Sequence, residues 1–423
     1  MHHRSLDASP GPRAIDSPYA WLMAATAFLT CFVVFGVVYS FGAFFKPMAT
    51  EFGANRASTS AIFSITASIY SLLGLAGGRM HDRFGPRRVM LVGAVALGAG
   101  LIATAYVHSL PTAYLTYGLG VGVGVGCTYV PALAVVGGWF SRSRNTAMAV
   151  AVSGIGAGTL AFAPLAAAMI QRFGWRKSYA LIGIASALLL TGCGLIAEAA
   201  PLPVANVPRP IGRIARSPEF AMLYLGALLT SVAIYVPFVY LPAFAQSRGV
   251  ADVPAAALVG FIGAASLIGR LSFGPIASRV GIGLLALYKG SLLILGLSYV
   301  IWPAAHSYAM LVLFAIVMGS AYGGMVSLTP TVVAELFGVE GLGTILGALF
   351  TSSAISALAG PPLVGLAIDR GGSYLWAAAI AGGAGVAAFG VLIPLRESQV
   401  YASLEVAPVR PASGGSAPIS SEK

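Results

Sequence analysis

The chain has 423 residues, of which 58% are hydrophobic and 9% charged, and its mean hydropathy is +0.87. Soluble domains carry about 25% charged residues, so this composition excludes a soluble enzyme and a disordered chain and points to a membrane protein. A net charge of +11, from 24 Lys and Arg against 13 Asp and Glu, would suggest nucleic acid as partner of a soluble chain; in a membrane protein it reports basic loops on the cytoplasmic side, and no nucleic acid is expected.

Residues 1–19 are polar, with Asp7 and Asp16, and are predicted to form a cytoplasmic tail. The apolar run after them, about 25 residues, is too long for a signal-peptide core and is predicted to be kept as the first helix. Apolar stretches fall near 20–45, 59–79, 88–107, 111–138, 145–170 and 177–198, then near 219–245, 254–277, 284–304, 307–334, 342–368 and 373–395. Each has the length of a membrane helix. The spacing therefore predicts an all-α membrane protein of twelve helices. They fall into an N-terminal six-helix bundle at 20–198 and a C-terminal one at 219–396, joined by a Pro- and Arg-containing cytoplasmic linker at 199–218. The Pro/Ser/Gly-rich end, 397–423, reads as a disordered cytoplasmic tail.

The alternation Val121 to Gly126 mimics a strand, but it belongs to an apolar stretch far longer than a barrel strand, and the prediction is helix. Its glycines resemble no nucleotide loop, since no G-x-x-x-x-G-K-[ST] occurs; close helix packing accounts for them better. Cys31, Cys127 and Cys193 lie singly in apolar runs, with no C-x-x-C or His/Cys cluster to hold a metal. No cofactor is expected.

Orientation follows from the basic residues. With the N-terminus inside, 15 of the 24 Lys and Arg face the cytoplasm and 7 the other side, which favours cytoplasmic termini. The expected location is a bacterial inner membrane.

Between the second and third stretches stands Gly78-Arg79-Met80-His81-Asp82-Arg83-Phe84-Gly85-Pro86-Arg87-Arg88. The glycine lets helices approach, the acid can pair across their interface, and the following Gly and Arg residues form a tight positive turn. This spacing resembles the G-x-x-x-D-R-x-G-x-R-R loop of the major facilitator superfamily. A degenerate copy, Gly274 to Gly281 with Ser278 in place of the acid, follows the eighth stretch, as in the parallel halves of that superfamily. Tyr39 to Pro47, and Trp139-Phe140-Ser141-Arg142-Ser143-Arg144 with Ala147 and Gly154 beyond it, are similar to the monocarboxylate transporter and oxalate/formate antiporter group. In that group the aromatic-Phe-x-basic loop precedes the fifth helix, and Arg144 matches its last basic position. Gly78, Asp82, Arg83, Gly85, Arg87, Arg88, Arg142 and Arg144 are accordingly expected to govern folding and gating.

The candidate substrate site centres on Arg270, roughly two turns before the cytoplasmic end of the eighth helix. A charge in a membrane helix costs several kcal/mol unless it faces a cavity or a partner, and no acid is placed deep enough to pair with it. A guanidinium fork suits a carboxylate; the alternative is that Arg270 snorkels to the surface or bonds backbone carbonyls. The resemblance implies substrate binding, since the group's binding arginine occupies this place. Four residues earlier, where the group often has Asp or Asn, stands Ser266, a further candidate for substrate binding that can donate one hydrogen bond but carries no charge. Tyr129 and Tyr322 match tyrosines lining the group's carboxylate site, and each phenol could give one hydrogen bond while its ring walls an apolar pocket. Tyr39 and Tyr235 lie at similar depth, and Ile155 and Val326 would be apolar walls. Lys289, one turn into the ninth helix, is expected to snorkel.

The function so implied is secondary active transport of a small lactate- or pyruvate-like monocarboxylate by alternating access, with no chemistry done on it. Coupling to a proton is favoured; an oxalate-formate type of carboxylate exchange and a non-transporting carboxylate sensor are the alternatives. The bilayer is the other partner. A membrane-embedded enzyme would need an acid, histidine or metal cluster at membrane depth, and His81, His108 and His306 are expected in loops.

Overall fold

A backbone in hydrocarbon has no water to bond, so each apolar stretch must satisfy its own N–H and C=O groups as a helix. The structure, a computed structural model, describes residues 14–199, 212, 214–280, 282–338 and 342–396. Most of the linker and the tails at 1–13 and 397–423 lie outside them.

The first span is α1 (Pro18–Tyr39) continued by α2 (Phe41–Phe52). Ser17 caps its start, its Oγ accepting from the Ala20 N–H at 3.3 Å, with Pro18 at the first helical position. The span breaks at Ser40, whose hydroxyl donates to the Val37 carbonyl. Next come α3 (Arg56–Phe84) and α4 (Pro86–Thr104), then a span built of α5 (Leu110–Ala113), a π-helical segment (Tyr114–Val121) and α6 (Gly122–Trp139). The alternating glycines of this span have a spatial reason. Gly118, Gly122 and Gly126, four apart, lie against Ile65, Ile69 and Leu73 of α3, while Gly120 and Gly124 lie against Gly100 and Leu97 of α4. Two helical faces thus each take small residues every fourth position, and the sum mimics a strand.

α7 (Arg144–Ile196) runs through 53 residues, about 80 Å at 1.5 Å per residue and far more than the roughly 30 Å hydrocarbon layer. It is two spans, because Gly174 leaves helical geometry at φ 76°, a left-handed conformation that glycine adopts without steric cost. The remaining helices are α8 (Pro218–Ser247), α9 (Asp252–Val280), α10 (Leu284–Ser298) with the short α11 (Ile301–Ala304), α12 (Tyr308–Phe337), α13 (Leu342–Gly371) and α14 (Leu375–Leu392). Eleven continuous helices among the described residues are long and apolar enough to cross a membrane. Counting α7 as two spans makes twelve, as the spacing predicts.

Helices α1 to α7 pack on one another, as do α8 to α14, and the two sets meet chiefly along α3 with α13 and α7 with α9. An even number of crossings returns the chain to the face where it began. We term that face proximal and the opposite one distal. On the distal face Arg56 pairs with Asp369, and Gln171 donates to Asp252 at 3.3 Å. On the proximal face Asp16 accepts from the backbone N–H groups of Ser141, Arg142 and Ser143 at 3.3, 2.9 and 3.1 Å. These bonds, that from Arg142 foremost, hold the Asp16 carboxyl below the usual carboxylate range.

Candidate functional site

Arg270 lies ten residues before the end of α9, about 15 Å along the helix. Its Cζ sits 5.7 Å above the ring centre of Tyr322 on α12, a cation–π placement. Its Nη1 donates to the Val152 carbonyl of α7, across the interface between the halves, at 3.4 Å. Its Nε is buried and has no hydrogen-bond partner, and among the described residues Arg270 makes no ion pair. A buried N–H left unbonded costs about 1–3 kcal/mol, more on a charged group. The site is therefore short of an acceptor, and a carboxylate supplies one with the matching charge.

Tyr322 is held there by its neighbour. A Cβ on Gly323 would meet the Ser266 carbonyl oxygen of α9, so only glycine lets α12 approach this closely. The Ser266 hydroxyl donates to Gly263 of its own helix at 2.8 Å, so its one proton is directed at the backbone, away from the role given by position alone.

Around the guanidinium the rings form one cluster drawn from both halves. Tyr129 meets Phe35 edge-on at 4.9 Å, and Phe35 meets Tyr70 edge-on at 5.9 Å. Tyr39 stacks on Phe238 of α8 at 4.1 Å, and Phe238 in turn meets the Tyr322 ring edge-on at 6.4 Å. Tyr70 and Tyr235 put their hydroxyl oxygens 3.4 Å apart. Five helices, α1, α3 and α6 of one half and α8 and α12 of the other, thus converge phenols within the middle of the bundle. Ile155 is buried on α7, one turn from Val152, and Val326 sits one turn beyond Tyr322 and packs on the same core.

Tyr70, Phe35 and Phe238 were not among the sequence candidates. For Tyr70 the signal was the same as for Tyr129 and Tyr322, a tyrosine deep in an apolar stretch. The loop motif is placed differently from expectation: Gly78, Asp82 and Arg83 belong to the last turns of α3, the chain turns at Gly85 (φ 78°), and Pro86 starts α4. His81, expected in a loop, is also on α3. The side chain of Asp82 lies outside the described residues. Arg83, Arg87 and Arg88 are exposed, as is Arg142, and the Arg144 Nε donates to the Phe140 carbonyl at 3.0 Å, closing the turn before α7. Lys289 donates to the carbonyls of Ile393 and Leu395, at 3.2 and 2.6 Å, and so caps the end of α14.

A family model described as Major Facilitator Superfamily matches residues 27–304. The chain belongs to the Major Facilitator Superfamily. Membership, the twelve spans and the central cross-half cluster make it a multi-pass transporter, not an enzyme. Within the superfamily it falls with the monocarboxylate transporter group. It is 29% identical to monocarboxylate transporter 13 of Bos taurus over 386 residues, 90% of each chain. To monocarboxylate transporter 3 of Rattus norvegicus it is 29% identical over 382 residues, 85% of this chain and 76% of that one. Among solved structures, the fold is shared with an inward-facing, unoccupied bacterial homolog of the human lysosomal transporter Spinster, with a TM-score of 0.69, 16% identity, and coverage of 89% of this chain and 95% of that one. It is shared also with a peptide transporter in complex with sulfate, with a TM-score of 0.70, 16% identity, and coverage of 87% and 93%.

Proposed function

We propose that this protein is a secondary transporter that moves a small monocarboxylate across a bacterial inner membrane by alternating access, with both termini in the cytoplasm. The observation that carries the reading is the buried, unbonded Nε of Arg270 in the cluster where the halves meet. A substrate carboxylate accepts from that Nε and a second guanidinium N–H, while its short apolar part lies among Tyr129, Tyr322, Ile155 and Val326. The curated relatives named monocarboxylate transporters support the same substrate class. In this orientation the distal face, tied by Arg56 and Asp369, is the outer face, and the state is closed to the outside.

Movement of the anion with a proton is favoured. A carboxylate arriving beside Arg270 cancels its charge, whereas a net charge crossing the membrane field costs about 2.3 kcal/mol per 100 mV. The test is uptake of labelled lactate, pyruvate, acetate and formate into proteoliposomes. Flux of at least one acid above protein-free vesicles is expected. Saturable binding of an acid with no flux of any of them would make the protein a sensor and overturn the transport reading.

A further inference from the structure

On the distal face, away from the Arg270 cluster, lies a cavity of about 450 Å³ lined by Lys46, Pro47 and Glu51 of the first span, Ile170 and Trp175 of α7, Gln246 of α8 and Asp252 of α9. Its volume is within the ordinary range of small-molecule sites, about 300–1,000 Å³. Both halves build it.

The polar groups differ in how far they are already engaged. Glu51 is spent: it accepts from Trp175 Nε1 and from two nitrogens of Arg176. Asp252 accepts from Gln171 through Oδ2 alone. Lys46 makes no ion pair among the described residues. The Gln246 Oε1 is buried and has no hydrogen-bond partner, which costs about 1–3 kcal/mol until a donor arrives. The cavity therefore offers a free cation at Lys46, an underused carboxylate at Asp252 and an orphan acceptor at Gln246, against apolar walls of Pro47, Ile170 and Trp175. With Glu51 neutralised by Arg176, the formal charges of Lys46 and Asp252 sum to zero, so neither a plain anion nor a plain cation suits it.

We propose that this cavity is a second ligand site, for an amphiphile bearing an ammonium and an anionic group a few atoms apart. The ammonium donates to Gln246 Oε1 and Asp252 of the C-terminal half, and the anionic group meets Lys46 of the N-terminal half. Such a ligand ties the halves together on the distal face. It binds more tightly when that face is closed and by linkage holds it closed, so it inhibits transport without occupying the Arg270 site. A free amino acid and the headgroup of phosphatidylethanolamine share this chemistry.

The experiment is thermal unfolding of the purified full-length protein in detergent, titrated with L-phenylalanine and, separately, with dihexanoyl phosphatidylethanolamine. A saturable rise in Tm is expected with at least one probe, and which one identifies the source as a solute or a lipid. Half-saturation should move at least tenfold higher in Asp252→Asn and in Gln246→Met, and stay unchanged in Arg270→Ala. Those variants' own Tm without ligand reports whether they fold. No rise with either probe, or a rise lost in Arg270→Ala and kept in Asp252→Asn and Gln246→Met, overturns the proposal. This binding readout is independent of whether a carboxylate is carried. Inhibition is read separately, as slower uptake from the distal side with a raised apparent half-saturation for the carboxylate, because closing that face lowers the fraction of protein open to it.

Discussion

Asp369, at the end of α13, caps a helix of the other half: its carboxylate accepts from the backbone N–H of Arg56 at 3.0 Å and of Ala57 at 3.4 Å, and pairs with the Arg56 guanidinium at 2.9 Å. An anion at the positive end of α3 is favoured by the helix dipole, by about 0.3–1 kcal/mol, and the half-exposed ion pair adds about 0.2–1 kcal/mol. Tyr374 accepts from Arg56 Nε at 3.2 Å and completes the tie. These contacts exist only while the distal face is closed.

Asp369→Asn is accordingly expected to shift the conformational equilibrium toward distal opening, by about twofold to thirtyfold for the sum of those two terms, about 0.5–2 kcal/mol. Spin-label distances across the distal ends of α3 and α13 check it. An unchanged distance distribution would reduce Asp369 to a local cap.

Arg270→Ala should abolish carboxylate uptake in protein that still inserts and folds. Arg270→Lys should fail nearly as far, because an ammonium cannot reproduce the planar fork. Tyr322→Phe keeps the ring under the guanidinium and should cost less than Tyr322→Leu, which loses a cation–π contact of about 0.5–2 kcal/mol. Uptake kinetics rank the four variants, and near-normal uptake by Arg270→Ala would remove the site.

Selectivity against dicarboxylates follows from a missing charge. Residues 344–367 of α13 contain no Lys or Arg, so this helix offers no second cationic anchor. A second carboxylate left uncompensated in the cavity costs on the order of several kcal/mol. Lactate or pyruvate should outcompete oxalate in an uptake assay, and equal competition would contradict this.

Gly323→Ala tests how the site is held. The added methyl meets the backbone oxygen of Ser266, which cannot swing aside, so α9 and α12 must separate at a cost of about 1–3 kcal/mol. Transport should fall further than stability, because the shift moves Tyr322 from Arg270. Wild-type half-saturation in a folded Gly323→Ala variant would argue that this spacing is immaterial to binding.

Coupling is read from pH. The sequence places no Asp, Glu or His within the central part of any predicted helix, so a proton travels with the substrate acid, is carried by water, or does not move. Vesicles empty of counter-substrate and acidified outside should accumulate labelled monocarboxylate, and collapsing the gradient should stop it. Uptake that requires preloading with another carboxylate would assign exchange instead.

Much of the architecture was legible in the residues. A bilayer forces every apolar stretch of about twenty residues to satisfy its own backbone, so length alone sets the number of spans, and the one deep arginine stands out because charge is expensive there. What the residues did not disclose was rotation about each helix axis. A helix wet by lipid on one side and by protein on the other is apolar all round, so no periodicity marks its inward face. Only packing decides it: the glycine contacts of Gly122, Gly124 and Gly323 set which way α6 and α12 turn. That is why Tyr70 enters the cluster unannounced, why the Ser266 hydroxyl points to Gly263, and why Arg56 finds Asp369 across 313 residues of chain.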